Sequence, residues 1–202
     1  AQRKPSPLNG FDLFNYMALI VCARARDYAE ITFHKFADEL EAKDAAGQYA
    51  FGAPENEKHR VTWEGIAVWT YLGATFKGLK NQGAVMTGSA YPGLWSLVYT
   101  PGDLESMAEA YTNVYINTCG PNRYEEFYKV VKNSKSDGIV LHLNRSCKLM
   151  GLLNNEGAEY VNAKMGVPYV SFDGDQTDPR VFTPAQYETR VQALTEMMDE
   201  NQ

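Results

Sequence analysis

Residues 59–202 predict an α/β fold: a doubly wound sheet of four parallel strands in the order 2-1-3-4. An N-terminal arm and helical segment, residues 1–58, precede it. Three observations carry this expectation. Strand-like runs alternate with helical stretches, the rhythm of a parallel sheet covered on both faces. The run 139–143, Ile-Val-Leu-His-Leu, is almost continuously apolar, as in a strand buried on both sides. Polar or glycine-bearing tips follow strands two, three and four, at the carboxyl edge where ligands enter open α/β sheets. The crevice is expected between strands one and three, with the loop after strand three at the switch point.

The elements follow in order. Residues 3–10 contain two prolines and a glycine and are expected to run as an extended arm. Asn9 suits a helix N-cap, with Asp12 in the first turn. Phe11, Phe14, Ala18 and Cys22 recur at helical spacing, as do Leu13, Met17, Ile20 and Val21, so Cys22 reads as a small buried hydrophobe. A second helix is expected over 27–46, with Ile31, Phe36, Ala37 and Leu40 on one side and His34 on the surface. The loop 47–58 marks a boundary. Beyond it come strand 60–68, helix 69–79 stopped near Gly83, strand 84–87 and loop 88–93. Helices 103–116 and 123–135 flank the break Cys119-Gly120-Pro121. Strand 139–143, helix 149–165 and strand 167–172 complete the rhythm. Thr183-Pro184-Ala185-Gln186 reads as a capping box opening the last helix.

Composition removes several function classes. The 202 residues carry a formal net charge of −6 with scattered basic side chains, which points away from nucleic acid. No run approaches the roughly 18 apolar residues of a membrane span. Three cysteines, an odd and sparse count, argue against a disulfide framework and for a reducing cytoplasm.

Cys147 is the leading chemical candidate. It stands in the tip Asn144-Arg145-Ser146-Cys147-Lys148, and its positive neighbours favour the thiolate. A thiolate binds metals and iron–sulfur clusters or acts as a nucleophile. One cysteine cannot hold a cluster, and Cys22 and Cys119 lack C-x-x-C spacing; Cys119 reads as an ordinary loop cysteine. A nucleophile needs a partnered histidine, and His142 reads as a hydrogen-bonded core residue inside the strand. Asp173, Asp175 and Asp178 suggest an oxygen-ligand cation site, but the EF-hand pattern and its distal Glu are missing. Hydrogen bonds from Asp173 and Asp175 to neighbouring loops, or to Arg180, are expected instead. No G-x-G-x-x-G, phosphate-loop or H-E-x-x-H motif occurs, so the fold does not imply a dinucleotide. Tyr91, Trp95, Tyr111 and Tyr115 form an aromatic-rich region, most of which is expected to pack in the core.

Several segments together resemble a known family. They are Arg3-Lys4-Pro5-Ser6-Pro7 with Asn9-Gly10, Ala110-Tyr111-Thr112-Asn113, His142-Leu143-Asn144-Arg145-Ser146-Cys147-Lys148-Leu149-Met150, Asp173-Gly174-Asp175-Gln176-Thr177-Asp178-Pro179-Arg180, and Gln186-x-x-Thr189-Arg190. The chain resembles the 2-hydroxyacyl-CoA dehydratases, whose relatives include benzoyl-CoA reductase subunits. The N-R-S-C-K-L-M run is most similar to the larger, substrate-binding alpha subunit of 2-hydroxyglutaryl-CoA and 2-hydroxyisocaproyl-CoA dehydratases. The resemblance implies flavodoxin-like α/β domains in an oxygen-sensitive cytoplasmic heterodimer of amino-acid-fermenting anaerobes. It implies a 4Fe–4S cluster on three cysteines in each subunit and an ATP-dependent activator protein that injects one electron. The acyl-CoA substrate then loses hydroxide through a ketyl radical. By resemblance Cys147 is the cluster ligand of the last domain, and Asn144, Arg145, Ser146 and Lys148 are its surroundings. The family's other two cluster cysteines precede the Arg-Lys-Pro segment, and neither Cys22 nor Cys119 has their context. The chain thus resembles the C-terminal part of a subunit, expected neither to hold a complete cluster nor to turn over alone. A subunit of a benzoyl-CoA-reductase-type enzyme and a non-catalytic scaffold fragment are the competing expectations.

Overall fold

The computed structural model describes residues 2–201; residues 1 and 202, the outer limits of the two expected segments, lie outside them. Four parallel strands form one sheet: β1 (His59–Glu64), β2 (Ala84–Ser89), β3 (Gly138–Asn144) and β4 (Tyr169–Gly174). Their spatial order is β2-β1-β3-β4, as the sequence predicts. The connection from β2 steps over β1 to reach β3, so the order reverses between β1 and β3.

Side-chain alternation assigns the two faces. Val140 of β3 points with Val61 and Trp63 of β1 into the larger core. That core is closed by α1 (Gly10–Cys22), α3 (Leu72–Asn81) and α9 (Pro184–Glu200). Ile139 and Leu141 point the other way, against α6 (Gly120–Asn133) and α8 (Asn154–Met165). In the larger core Trp63 meets Phe11, Phe172 and Tyr187 at ring-centroid distances of 5.6, 5.5 and 6.3 Å. Such aromatic pairs add about 1 kcal/mol each beyond area burial.

β1 departs from the simple rule that polar alternation means a solvated face. Arg60, Thr62 and Glu64 are all buried. Arg60 pairs with Glu57 and donates to the Ser134 carbonyl, and Thr62 hydrogen-bonds Ser136 at 2.8 Å. Arg60 also donates to the Arg3 carbonyl, while Ser6 N–H donates to Glu57 Oε2. Residues 3–9 accordingly run as bends fastened to the sheet.

α2 (Asp27–Ala45) buries only Ala29, and His34 is exposed on it as expected. The Asn9 cap forms, its Oδ1 accepting from Phe11 N–H. Four local expectations are corrected. Cys22 is exposed, because α1 buries Gly10, Phe11, Phe14 and Met17 and its last turn runs past the core. The first strand ends at Glu64, where Gly65 at φ +105° turns the chain; a Cβ there would sit 2.5 Å from the His142 carbonyl oxygen. The expected helix over 149–165 is two pieces, α7 (Lys148–Gly151) and α8. At α9 the Thr183 side chain makes no cap bond, and only its carbonyl accepts, from Tyr187 N–H. The remaining helices are a single turn after β2, α4 (Ala90–Gly93), and α5 (Leu104–Thr112).

Candidate functional site

The carboxyl ends of the strands gather around the β3 tip. Asn144 is buried and fixes this tip from inside. Its Oδ1 accepts from Ser146 N–H and from Gln176 N–H, both at 3.3 Å, and its Nδ2 donates to Gln176 Oε1. The Gln176 carbonyl in turn accepts from Trp69 N–H, so the loops after β1, β3 and β4 are joined. Asp175, 2% exposed, completes the clamp. It accepts from the Ser146 hydroxyl and N–H, and from the N–H groups of Thr177 and Asp178. These bonds, the Ser146 hydroxyl first, hold its carboxyl well below the usual range.

The clamp leaves Cys147 partly exposed, with its N–H on the Asn144 carbonyl and its own carbonyl accepting from Gly151 N–H. Cys147 packs beside Ile66 from the β1 loop, Tyr91 and Leu94 after β2, and Met150 from α7. Burial, with the Cys147 sulfur nearby, pushes the Tyr91 phenol up. Cys147 therefore stands where the loops of β1, β2 and β3 meet. Arg145, Ser146 and Lys148 are exposed. Arg145 turns to Asp173, Nε to Oδ1 at 3.4 Å, so its charge is directed at that carboxylate. Arg180 pairs with Asp178, whereas Asp173 and Asp175 bond Arg145 and the Ser146 backbone. Among the described residues no three His, Cys, Asp or Glu side chains gather as a metal cage. Among the described residues Cys147 is the cysteine at these loops, a single corner of any multi-cysteine centre.

His142 is fully buried, as its place in the strand predicts. Nδ1 meets the Ile66 carbonyl, and the ring stacks on Phe172 at 5.1 Å and 13°. Desolvation lowers its pKa, so the ring is neutral and structural. Gly174 is required beside it, since a Cβ there would lie 2.5 Å from Nε2.

A second polar group, missed in the sequence, lies beneath the Cys147 turn. Glu64, the last residue of β1, is fully buried. Its Oε1 accepts from the Tyr115 hydroxyl at 2.8 Å, and its Oε2 has no partner among the described residues. Burial raises its pKa to about 7, against the lowering effects of Tyr115 and Arg123. Burial and the Glu64 charge push the Tyr115 phenol far up. Arg123, 2% exposed, lies over the Tyr115 ring at 4.6 Å. Its guanidinium donates to the Leu149 carbonyl and to Asn154 Oδ1 at 3.2 Å. The available signal was a carboxylate ending a strand just before a glycine, at the edge where loops converge.

Comparison with known proteins places the chain in a family. The family model described as 2-hydroxyglutaryl-CoA dehydratase, D-component, matches residues 1–198. The lactoyl-CoA dehydratase subunit alpha of Anaerotignum propionicum is 62% identical over 203 residues, covering 100% of this chain and 48% of that protein. The (R)-2-hydroxyisocaproyl-CoA dehydratase alpha subunit of Clostridioides difficile is 44% identical over 99% of this chain and 48% of its own length. A benzoyl-CoA reductase subunit of Thauera aromatica is 23% identical over 99% of this chain and 49% of its own length. The chain spans about half the length of these relatives. Matched along nearly its whole length by one family model, this α/β chain with a partly exposed cysteine in its switch-point loop belongs to the 2-hydroxyglutaryl-CoA dehydratase D-component family.

Proposed function

We propose that this chain is part of the alpha subunit of a 2-hydroxyacyl-CoA dehydratase, a hydro-lyase that converts an (R)-2-hydroxyacyl-CoA to a 2-enoyl-CoA through a ketyl radical. The observation that carries this reading is the partly exposed Cys147 at the sheet's switch point, in a chain of this family. Cys147 is read as one thiolate ligand of a 4Fe–4S cluster whose other protein ligands lie outside this chain. When bound, the cluster supplies a single electron to the thioester.

The chain's own residues hold that ligand in place. Asn144 and Asp175 fix the residue before Cys147 through the Ser146 backbone. Arg145 and Lys148 keep positive charge on the rim, and hydrogen bonds and charge around a cluster tune its potential. Tyr91, Leu94 and Met150 form an apolar wall beside the thiol and limit water there. The working assembly is read as a cytoplasmic heterodimer with a second dehydratase subunit, reduced by an ATP-dependent activator. No helix among the described residues is long and apolar enough to cross a membrane.

Lactoyl-CoA is the first substrate to test, because the lactoyl-CoA dehydratase relative is 62% identical whereas the benzoyl-CoA reductase relative is 23% identical. Turnover of benzoyl-CoA without turnover of any 2-hydroxyacyl-CoA would move the chain to the reductase class. In the assembled enzyme Cys147→Ser is expected to lower the iron content and abolish dehydration. Full iron and full turnover in that variant would end the ligand assignment.

A further inference from the structure

The clamp from Asn144 and Asp175 reaches the chain at Ser146, and the residues that follow Cys147 have less to hold them. α7 is 4 residues long, and the neighbouring Leu149 and Leu152 are 63% and 69% exposed. Met150 is the buried side chain of this stretch, 2% exposed against Ile66 and Leu94. Under it lie buried Glu64 and Arg123 with half-buried Tyr115 between them, drawn from β1, α6 and the α5–α6 connection. The set is costly, because a buried carboxyl and guanidinium are seldom more stabilising than apolar residues of similar volume. Glu64 Oε2, Arg123 Nε and Asn154 Nδ2 also lack partners among the described residues. Where the set reaches out is specific. Arg123 grips the carbonyl of Leu149, two residues past Cys147, touches Met150 Sδ at 3.8 Å, and holds Asn154 at the start of α8.

We propose that Arg123, held by Tyr115 and Glu64, is a positioning residue for Cys147: it fixes the turn 147–151 from below and so sets the direction in which the sulfur is presented. The guanidinium fork makes bonds to two successive elements, α7 and α8, which a point charge on a flexible stem cannot reproduce. Tyr115 carries the fork on its ring face and passes the anchor to Glu64, which belongs to the rigid end of β1. The chain of contacts thus ties the ligand turn to a central strand without touching the sulfur. This inference rests on the reading of Cys147 as a cluster ligand.

The test uses the complete dehydratase assembly, prepared without oxygen. Arg123→Met, Arg123→Lys and Tyr115→Phe are compared with Leu194→Ala, a core change in α9 on the opposite face of the sheet. Two quantities are read: iron retained against a chelator, and the electron paramagnetic resonance spectrum of the reduced enzyme. Arg123→Met is expected to weaken iron retention by about 10- to 100-fold and to alter the spectrum, the scale typical of losing an outer support of a metal ligand. Arg123→Lys and Tyr115→Phe should fall between that variant and wild type, and they decide the matter should Arg123→Met fail to fold. Leu194→Ala should leave the spectrum unchanged. Spectra and iron retention in the Arg123 and Tyr115 variants equal to those of Leu194→Ala would reduce the set to ordinary core. Cys147→Ser separates the layers: its retention of full iron would overturn the ligand reading and this role with it. Iron loss in Cys147→Ser beside unchanged Arg123 variants would overturn the positioning role alone.

Discussion

β1 and β3 lie side by side at the centre of the sheet, and they are buried by opposite means. β3 is buried by composition: Ile139, Val140 and Leu141 are each 0% exposed and need no polar partner. β1 is just as buried, yet every second residue is polar, and Arg60, Thr62 and Glu64 each depend on a partner from another element. At the carboxyl edge the contrast inverts. The apolar strand opens into an exposed tip bearing Arg145, Ser146, Cys147 and Lys148, whereas the polar strand ends in a carboxyl sealed from solvent. The lesson is that a strand's residue types report its burial only when its polar members have no partners within reach.

The sharpest way to break this pairing is at the point where the two strand ends touch. Gly65→Ala places a side chain at φ +105° and drives its Cβ to 2.5 Å from the His142 carbonyl oxygen. Backbone strain and overpacking together are expected to cost roughly 4 kcal/mol, read as a lower urea midpoint at unchanged slope. A loss below about 1 kcal/mol would mean that the ends of β1 and β3 give way easily.

The sealed carboxyl gives the next largest effect, and its sign distinguishes it from a surface acid. Glu64 has an ordinary value of 4.5 and a folded value of about 7. Below pH 4.5 it is protonated in both folded and unfolded chains. Between 4.5 and about 7 the unfolded chain releases a proton that the folded chain keeps, so stability falls as pH rises. The total is about 3 kcal/mol at 1.4 kcal/mol per unit, and Glu64→Gln should flatten the curve across that window. Asp175 acts in the opposite sense: its carboxyl is held low, so its contribution is present above the ordinary 3.8 and is lost as pH falls. A wild-type curve that is flat from pH 5 to 7 would place Glu64 in contact with water.

Where the sequence was informative, the signal was local. The apolar run of β3, the Asn9 cap and the polar tip carrying Cys147 are all properties of a few adjacent residues, and the strand–helix rhythm is a succession of such local runs. The features that escaped are pairings between distant residues. Glu64 meets Tyr115 across 51 positions, and Arg123 reaches Leu149 across 26. Arg145 looked like a partner for the thiol because it is two residues away, but the 28-residue connection to Asp173 prevails. Cys22 fits a helical stripe in sequence, yet the buried face of α1 is set by Gly10, Phe11, Phe14 and Met17 and leaves Cys22 exposed.

Two hydroxyl substitutions sharpen the comparison between the strands themselves. Val140→Thr puts a hydroxyl into the apolar face of β3 among Trp63 and Phe172, where no acceptor awaits it; a loss of about 2 kcal/mol is expected. Thr62→Val on β1 removes a hydroxyl bonded to Ser136, leaving that partner with Ser134 and Thr87 still in reach; about 1 kcal/mol is expected. Equal losses at the two sites would show that burial depth, and not partnership, sets the cost.

The smallest effect belongs to the rim, and its smallness is the point. Arg145 and Asp173 face each other with side chains 60% and 61% exposed at 3.4 Å. An ion pair so open to water and salt contributes about 0.5 kcal/mol or less to stability, so Arg145→Ala should leave the urea midpoint nearly unmoved. If Arg145 matters, it matters through charge near the Cys147 turn, which stability cannot report. Releasing Asp173 from its partner makes the rim more negative by one unit, and a cluster held there should become harder to reduce. A lower midpoint potential with an unchanged urea midpoint is therefore the expected pair of results. A fall in stability with no change in potential would assign Arg145 to the scaffold, on the same side of the comparison as Arg60.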